Sequence, residues 1–114
     1  MRQGALLTIS ALAEFGTIKQ CNELIEAGAV VFVVNVLRAD VGNCESWMAI
    51  VDLIDSSNAS RQQALENRVP SLLPAGLKVG GIAELYVLCT IRKIAASEEG
   101  ANAVACAGVI SAVP

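Results

Sequence analysis

The side chains that carry most enzyme and metal chemistry are sparse in this sequence. It contains no histidine, and its four cysteines lack the Cys-x-x-Cys spacing of zinc sites and redox pairs. We therefore predict small buried thiols in a reducing compartment, with no metal site and no cofactor. The four are Cys21, Cys44, Cys89 and Cys106.

Two pairs of carboxylates remain as candidates for acid–base chemistry. Asp52 and Asp55 stand three residues apart, as do Glu23 and Glu26, and this spacing places both members of a pair on one side of a helix. The sequence contains neither a glycine-rich phosphate loop nor a Gly-x-Ser-x-Gly motif to accompany them. We interpret these carboxylates as solvated surface charges and predict that the protein is not an enzyme.

Charge and hydropathy exclude two further classes of ligand. Eight basic and eleven acidic residues give a net charge of −3, and the cations are scattered, so nucleic acid is not an expected partner. The longest apolar run, from Ala27 to Val34, is far shorter than the roughly 20 residues of a membrane-spanning helix. The first residues resemble a signal peptide, but Thr8 and Ser10 interrupt their apolar region. We therefore expect an intracellular, cytoplasmic protein.

One segment recurs along the chain at a spacing of about 40 residues, which is typical of helical repeats. Residues 25–38 form the end of one helix, a break at Gly28 and an apolar stretch, and related segments follow at 65–78 and 105–113. The many β-branched residues of 30–36 also fit a buried strand. We predict a helix because the flanking segments are helical and because residues 72–78 lack β-branching.

Helix-capping residues and apolar spacing define the remaining elements. Thr17 and Gln20 have the spacing of a capping box, and Asn43 and Ser97 are suitable N-caps for two later helices. Pro74 is unfavourable inside a helix, so we predict that the helix of residues 69–79 is kinked or begins late. In the helix of residues 44–55, the apolar spacing predicts burial of the side chains Trp47, Ile50, Val51 and Ile54.

The repeat resembles the armadillo family of three-helix repeats. The resemblance is carried by residues 24–30, Leu-Ile-Glu-Ala-Gly-Ala-Val, and by residues 105–110, Ala-Cys-Ala-Gly-Val-Ile. It implies an all-α, right-handed solenoid, an armadillo-like superhelix in a single domain. The units would be a partial repeat 1–16, repeats 17–56 and 57–96, and a partial repeat 97–114. HEAT repeats are the structural alternative.

Armadillo proteins are binding scaffolds whose third helices line a groove for a protein partner. The resemblance therefore implies a non-catalytic interaction module whose partner-binding residues are Glu45, Met48, Asp52, Leu88 and Arg92. In peptide-binding members, a Trp and an Asn four residues later clamp the peptide backbone. In this sequence the matching pairs of positions contain no Asn, so the backbone clamp and a nuclear-transport role do not carry over. The pairs are Met48 and Asp52, Leu88 and Arg92, and Leu7 and Ala11. Asp52 and Arg92 would contact a partner through their charges, or alternatively are solvated residues of the helix face.

An alternative role follows from the composition. Hydrophobic residues make up 54% of the chain, which indicates more apolar surface than one small domain can bury. The interaction module would then belong to a longer array or a larger assembly. The alternative is a structural subunit held permanently in a large complex, without a transient peptide ligand. Neighbouring repeats or subunits would cover its apolar ends.

Overall fold

The computed structural model describes residues 2–112 and the side chains of residues 4–111, and within that range the chain forms helices and no strands. The prediction of an all-α protein is confirmed. The last two residues of the predicted partial repeat 97–114 lie outside the described residues. The helices are α1 (Arg2–Phe15), α2 (Ile18–Glu26), α3 (Ala29–Ala39), α4 (Cys44–Ser56), α5 (Asn58–Glu66), α6 (Leu73–Val79), α7 (Gly81–Ile94), α8 (Glu98–Cys106) and α9 (Val109–Ala112), with a 3₁₀ turn at Val69–Leu72 before α6.

The helix boundaries recur at the spacing seen in the sequence. The helices α2, α5 and α8 begin at equal intervals along the chain, at Ile18, Asn58 and Glu98. The helix α3, the 3₁₀ turn and α9 begin at the same interval, at residues 29, 69 and 109. Residues 29–39 form a helix, so the helical interpretation of this β-branched stretch is correct.

The predicted caps form at the helix starts. The Thr17 hydroxyl accepts from the Gln20 amide at 3.2 Å, and the Gln20 side-chain oxygen accepts from the Thr17 amide at 2.9 Å. The side chains of Asn43 and Ser97 accept from the amides of Ser46 and Gly100. Each cap satisfies an amide that has no partner within its own helix.

A residue with left-handed backbone conformation stands directly before α3, before the 3₁₀ turn and before α9. Gly28 and Gly108 both have φ 87°, which glycine adopts without strain. Arg68 stands midway between these two glycines in the sequence, directly before the 3₁₀ turn, and takes the left-handed conformation with φ 62°. The left-handed conformation therefore recurs at this interval even where the residue is not glycine.

The two prolines of the following segment lie at helix starts. The segment opens as the 3₁₀ turn, and the α-helix α6 begins only at Leu73, as predicted for a helix that begins late. Pro70 and Pro74 occupy the first turns of these two elements, where a proline removes no helical hydrogen bond.

The hydrophobic core lies between α4 and the helices around it. The fully buried indole of Trp47 donates to the Val41 carbonyl at 2.7 Å. Trp47, Ile50 and Ile54 are buried as predicted, but Val51 is only half-buried, and Leu53 is fully buried instead. The side of α4 that faces its neighbours is thus rotated slightly from the predicted one.

Candidate functional site

The helices α1, α4 and α7 form a layer. The helix α4 lies in the middle, because it packs against both α1 and α7. Polar side-chain contacts join these helices in addition to their apolar packing. The hydroxyl of Ser10 in α1 donates to the carboxylate of Asp52 in α4. The ammonium of Lys93 in α7 lies 2.8 Å from the carboxylate of Asp55 in α4. The two carboxylates of α4 therefore face different neighbouring helices.

The structure places the predicted partner-binding residues on α4 and α7 of this layer. On the middle helix, Glu45, Met48 and Asp52 are half-buried. On α7, Arg92 is exposed and Leu88 retains 46% of its accessible surface. Whether these residues bind a partner remains a prediction.

On α1, the positions related to Met48 and Asp52 are also open to solvent. Leu7 is 46% exposed, and Ala11 is exposed as well. We call the solvent-facing side of α1, α4 and α7 the layer face. It is formed by Leu7 and Ala11 on α1, by Glu45, Met48 and Asp52 on α4, and by Leu88 and Arg92 on α7.

The apolar part of the layer face is larger than the sequence indicated. Leu85 lies one turn before Leu88 on α7 and is 62% exposed. The opposite side of α7 holds the buried residues Ala83, Val87, Thr90 and Ile94. Leu85 was not among the partner-binding residues predicted from the sequence. The signal was the small and polar character of the buried side, since Ala83 and Thr90 leave the leucines to face outward.

Asp52 is the most perturbed carboxylate of the layer. Burial raises the pKa of Asp52 above its ordinary value, and the negative charge of Asp55 adds to the increase. The hydrogen bond from Ser10 acts in the opposite direction, because it stabilises the ionised form. A half-buried carboxylate of this kind would contribute most to the binding of a cation that replaces its lost hydration.

A cleft lies beside Asp52 at the carboxyl ends of α1 and α4. Its volume is about 310 Å³, and Glu14, Asp52 and Asp55 give its walls a negative charge. Among the described residues, no group of three or more histidines, cysteines or carboxylates is arranged to hold a metal ion. The three carboxylates therefore form an acidic surface at this end of the layer.

All four cysteines are free thiols, and Cys21 is one of the residues that line the cleft beside Asp52. Cys21 is buried as predicted, but Cys89 and Cys106 are exposed and Cys44 is half-buried. The prediction that all four are buried is wrong for these three. Cys89 and Cys106 face solvent, whereas Cys44 packs partly against the core, and the cysteine spacing alone did not reveal this difference.

In residues 2–112, no single helix has both the length and the apolar composition needed to cross a membrane. The pair α2 and α3 reaches that length and composition together, but the two helices meet at a bend of 59°.

Comparison of the chain with protein-family models, curated proteins and solved structures found no match in any of the three.

Proposed function

We propose that this protein is a non-catalytic protein-interaction module with an armadillo-like arrangement of three-helix units in a right-handed superhelix. The recurrence of helix starts at equal intervals supports the repeat. The left-handed conformation of Arg68, in register with Gly28 and Gly108, supports it further. HEAT repeats, which have a similar spacing, are the structural alternative.

The layer face is the proposed binding surface, and the exposure of its leucines is the observation that carries the proposal. Leu7, Leu85 and Leu88 each expose between 46% and 62% of their accessible surface. Large apolar side chains grouped with charged ones are typical of a surface that a protein partner covers. The free, partly exposed thiols agree with an intracellular location.

Charge on the layer face sets the expected character of the partner. The half-buried carboxylate of Asp52 and the acidic cleft around it would accept a Lys or Arg side chain. Arg92, on the next helix, would pair with an acidic group of the same partner. The partner is therefore a protein segment with apolar anchors and charges of both signs.

A capture experiment with matched variants tests the proposal. The wild-type chain, immobilised, is exposed to extract of its source cells beside three layer-face variants, Leu88→Glu, Arg92→Ala and Asp52→Ala. Val31→Glu is the control for Leu88→Glu, because Val31 on α3 is 44% exposed and receives the same change in charge. Circular dichroism verifies that each variant is folded.

The proposal predicts that captured proteins fall at least tenfold with Leu88→Glu and stay unchanged with Val31→Glu. Arg92→Ala and Asp52→Ala should each reduce capture severalfold. Capture that survives all three layer-face changes, or that falls equally with Val31→Glu, contradicts the layer face as the site. The second pattern would favour a structural subunit held through its other helix surfaces.

A further inference from the structure

The connection between α1 and α2 displays two large apolar side chains to solvent. Phe15, the last residue of α1, retains 81% of its accessible surface, and Ile18, the first residue of α2, retains 83%. These are the highest values for large apolar side chains among the described residues. We call this segment, residues 15–18, the α1–α2 corner.

The internal repeat shows that the fold does not require apolar side chains at this corner. Positions related to Phe15 and Ile18 recur in the two later units at the interval of the repeat. None of the four counterparts is a large apolar residue; they are Asp55 and Ala95 for Phe15, and Asn58 and Glu98 for Ile18. The later units therefore make the same connection between helices without an apolar pair.

The exposure of the corner also does not depend on where α1 stands in the stack of helices. Asp55 and Asn58 lie at the related corner, between α4 and α5, and both are exposed although α1 and α2 precede them. A helix stacked on α1 as α1 is stacked on α4 would therefore leave Phe15 and Ile18 open to solvent.

Local contacts hold the corner in one conformation. The Gly16 amide donates to the Leu12 carbonyl at 2.8 Å, and a methyl group on Gly16 would strike that same oxygen, so the turn has no room for a side chain. On the other side of the turn, the capping box of Thr17 and Gln20 fixes the start of α2. A surface that is ordered before binding loses little conformational entropy when a partner docks on it.

Negative charge surrounds Ile18. This side chain lines both the cleft beside Asp52 and a second hollow on α2. Three carboxylates line the cleft and two line the hollow, whereas Lys19 is the one cation among these lining residues; the carboxylates are Glu14, Asp52, Asp55, Glu23 and Glu26. Charge of this sign attracts a cationic protein segment and repels an anionic lipid surface.

We propose that the α1–α2 corner docks a basic segment of another protein, in which a large apolar side chain stands beside a Lys or Arg. The apolar side chain packs on Phe15 and Ile18, and the cation enters the acidic cleft beside Glu14. The corner borders the layer face at Asp52 but needs none of its leucines, so either proposal can fail without the other.

A phage-displayed library of random short peptides is the probe for this corner. The library is selected on the immobilised full chain and counter-selected on the double variant Phe15→Ala with Ile18→Asn. These substitutions introduce the residue types of Ala95 and Asn58, which the related corners carry in the same fold. Circular dichroism verifies that the variant is folded. Fluorescence anisotropy then measures labelled copies of the enriched peptides against the full chain.

The matched control removes the same side chains elsewhere on the surface. Phe32→Ala with Ile110→Asn also changes one exposed phenylalanine and one exposed isoleucine. We expect enriched peptides in which a large apolar residue adjoins a Lys or Arg. The corner variant should weaken their binding at least tenfold, and the control should leave it unchanged. Glu14→Gln should weaken it at least twofold, and less so at high salt.

Four results would overturn the proposal. They are the absence of any enriched peptide, enriched peptides without a basic residue, equal weakening by the corner variant and its control, and weakening by Leu88→Glu, which would assign the peptides to the layer face. Two further measurements test the class of occupant. Cosedimentation with phosphatidylserine vesicles that depends on Phe15 and Ile18, or a dimer in light scattering that the corner variant dissociates, would also overturn it.

Discussion

Substitution of Gly76 by alanine tests how closely α6 packs against the layer. A methyl group at this position would lie 2.8 Å from Cζ2 of Trp47 and 2.9 Å from Cγ2 of Val87. Both side chains are fully buried, so neither has room to move aside. Overfilling a packed core in this way costs about 1–3 kcal/mol. Helix propensity acts oppositely, because alanine is favoured over glycine inside a helix by about 1 kcal/mol.

Gly4→Ala is the matched control for Gly76→Ala. Gly4 also lies inside a helix, and no atom lies within 4 Å of the position its methyl group would take. Gly4→Ala therefore measures the stability gained from the higher helix propensity of alanine, without the steric cost of a methyl group in a packed core. The difference in unfolding free energy between the variants should be about 1–3 kcal/mol. For a chain of this size, that is a separation of about 4–12 °C in melting temperature.

Thermal unfolding followed by circular dichroism measures both variants, and a double variant identifies the cause of the difference. Val87→Ala removes one of the two groups that the new methyl would strike. Gly76→Ala should therefore be less harmful in that background, by about 0.5 kcal/mol or more. If Gly76→Ala raises the melting temperature as much as Gly4→Ala does, the close packing of α6 on Trp47 is refuted.

Three further substitutions test the strained turn, the buried carboxylate and the surface ion pair. Arg68→Gly should stabilise the fold by about 0.5–1 kcal/mol, because it relieves a left-handed arginine; urea unfolding that shows a loss would contradict this. The pKa of Asp52 is higher in the folded protein than in the unfolded chain, so the folded state favours the protonated carboxyl group. The stability that Asp52 contributes is therefore fully present at a pH below its pKa in the unfolded chain, and it is lost as the pH rises through its pKa in the folded protein. Asp52→Asn, which keeps an acceptor for Ser10, should therefore gain stability relative to wild type between pH 3 and pH 7, and a constant difference in urea midpoints would contradict the shift. Lys93→Met should change the unfolding free energy by no more than about 1 kcal/mol, because Lys93 and Asp55 are partly exposed; a larger loss in the urea titration would mean that this pair is essential to the layer.

The elements of this fold could be predicted where local chemistry decides the structure. The capping box of Thr17 and Gln20 and the caps at Asn43 and Ser97 form as the sequence indicates, because each depends on residues three positions apart. The helix of residues 29–39 forms despite its β-branched residues, because its buried side packs against neighbouring helices.

Properties that depend on distant contacts could not be predicted from the sequence. Leu53 and Val51 differ in burial because α1 and α7 approach α4 from particular directions, which the apolar spacing does not specify. The left-handed conformation of Arg68 carries no local sequence signal, and only its position in the register of the repeat indicates it. The exposure of Leu85 and Leu88 follows from how α7 is rotated on the core, so the extent of the layer face emerged only from the structure.

Photo-crosslinking in living cells tests most directly whether the layer face binds a protein. A benzophenone amino acid replaces Leu88 in one variant and Val31 in another, two positions with 46% and 44% exposure. The account predicts that irradiation joins a discrete protein to the chain through position 88 and none through position 31. No crosslink at position 88, or the same crosslink at both positions, would contradict a binding site on the layer face.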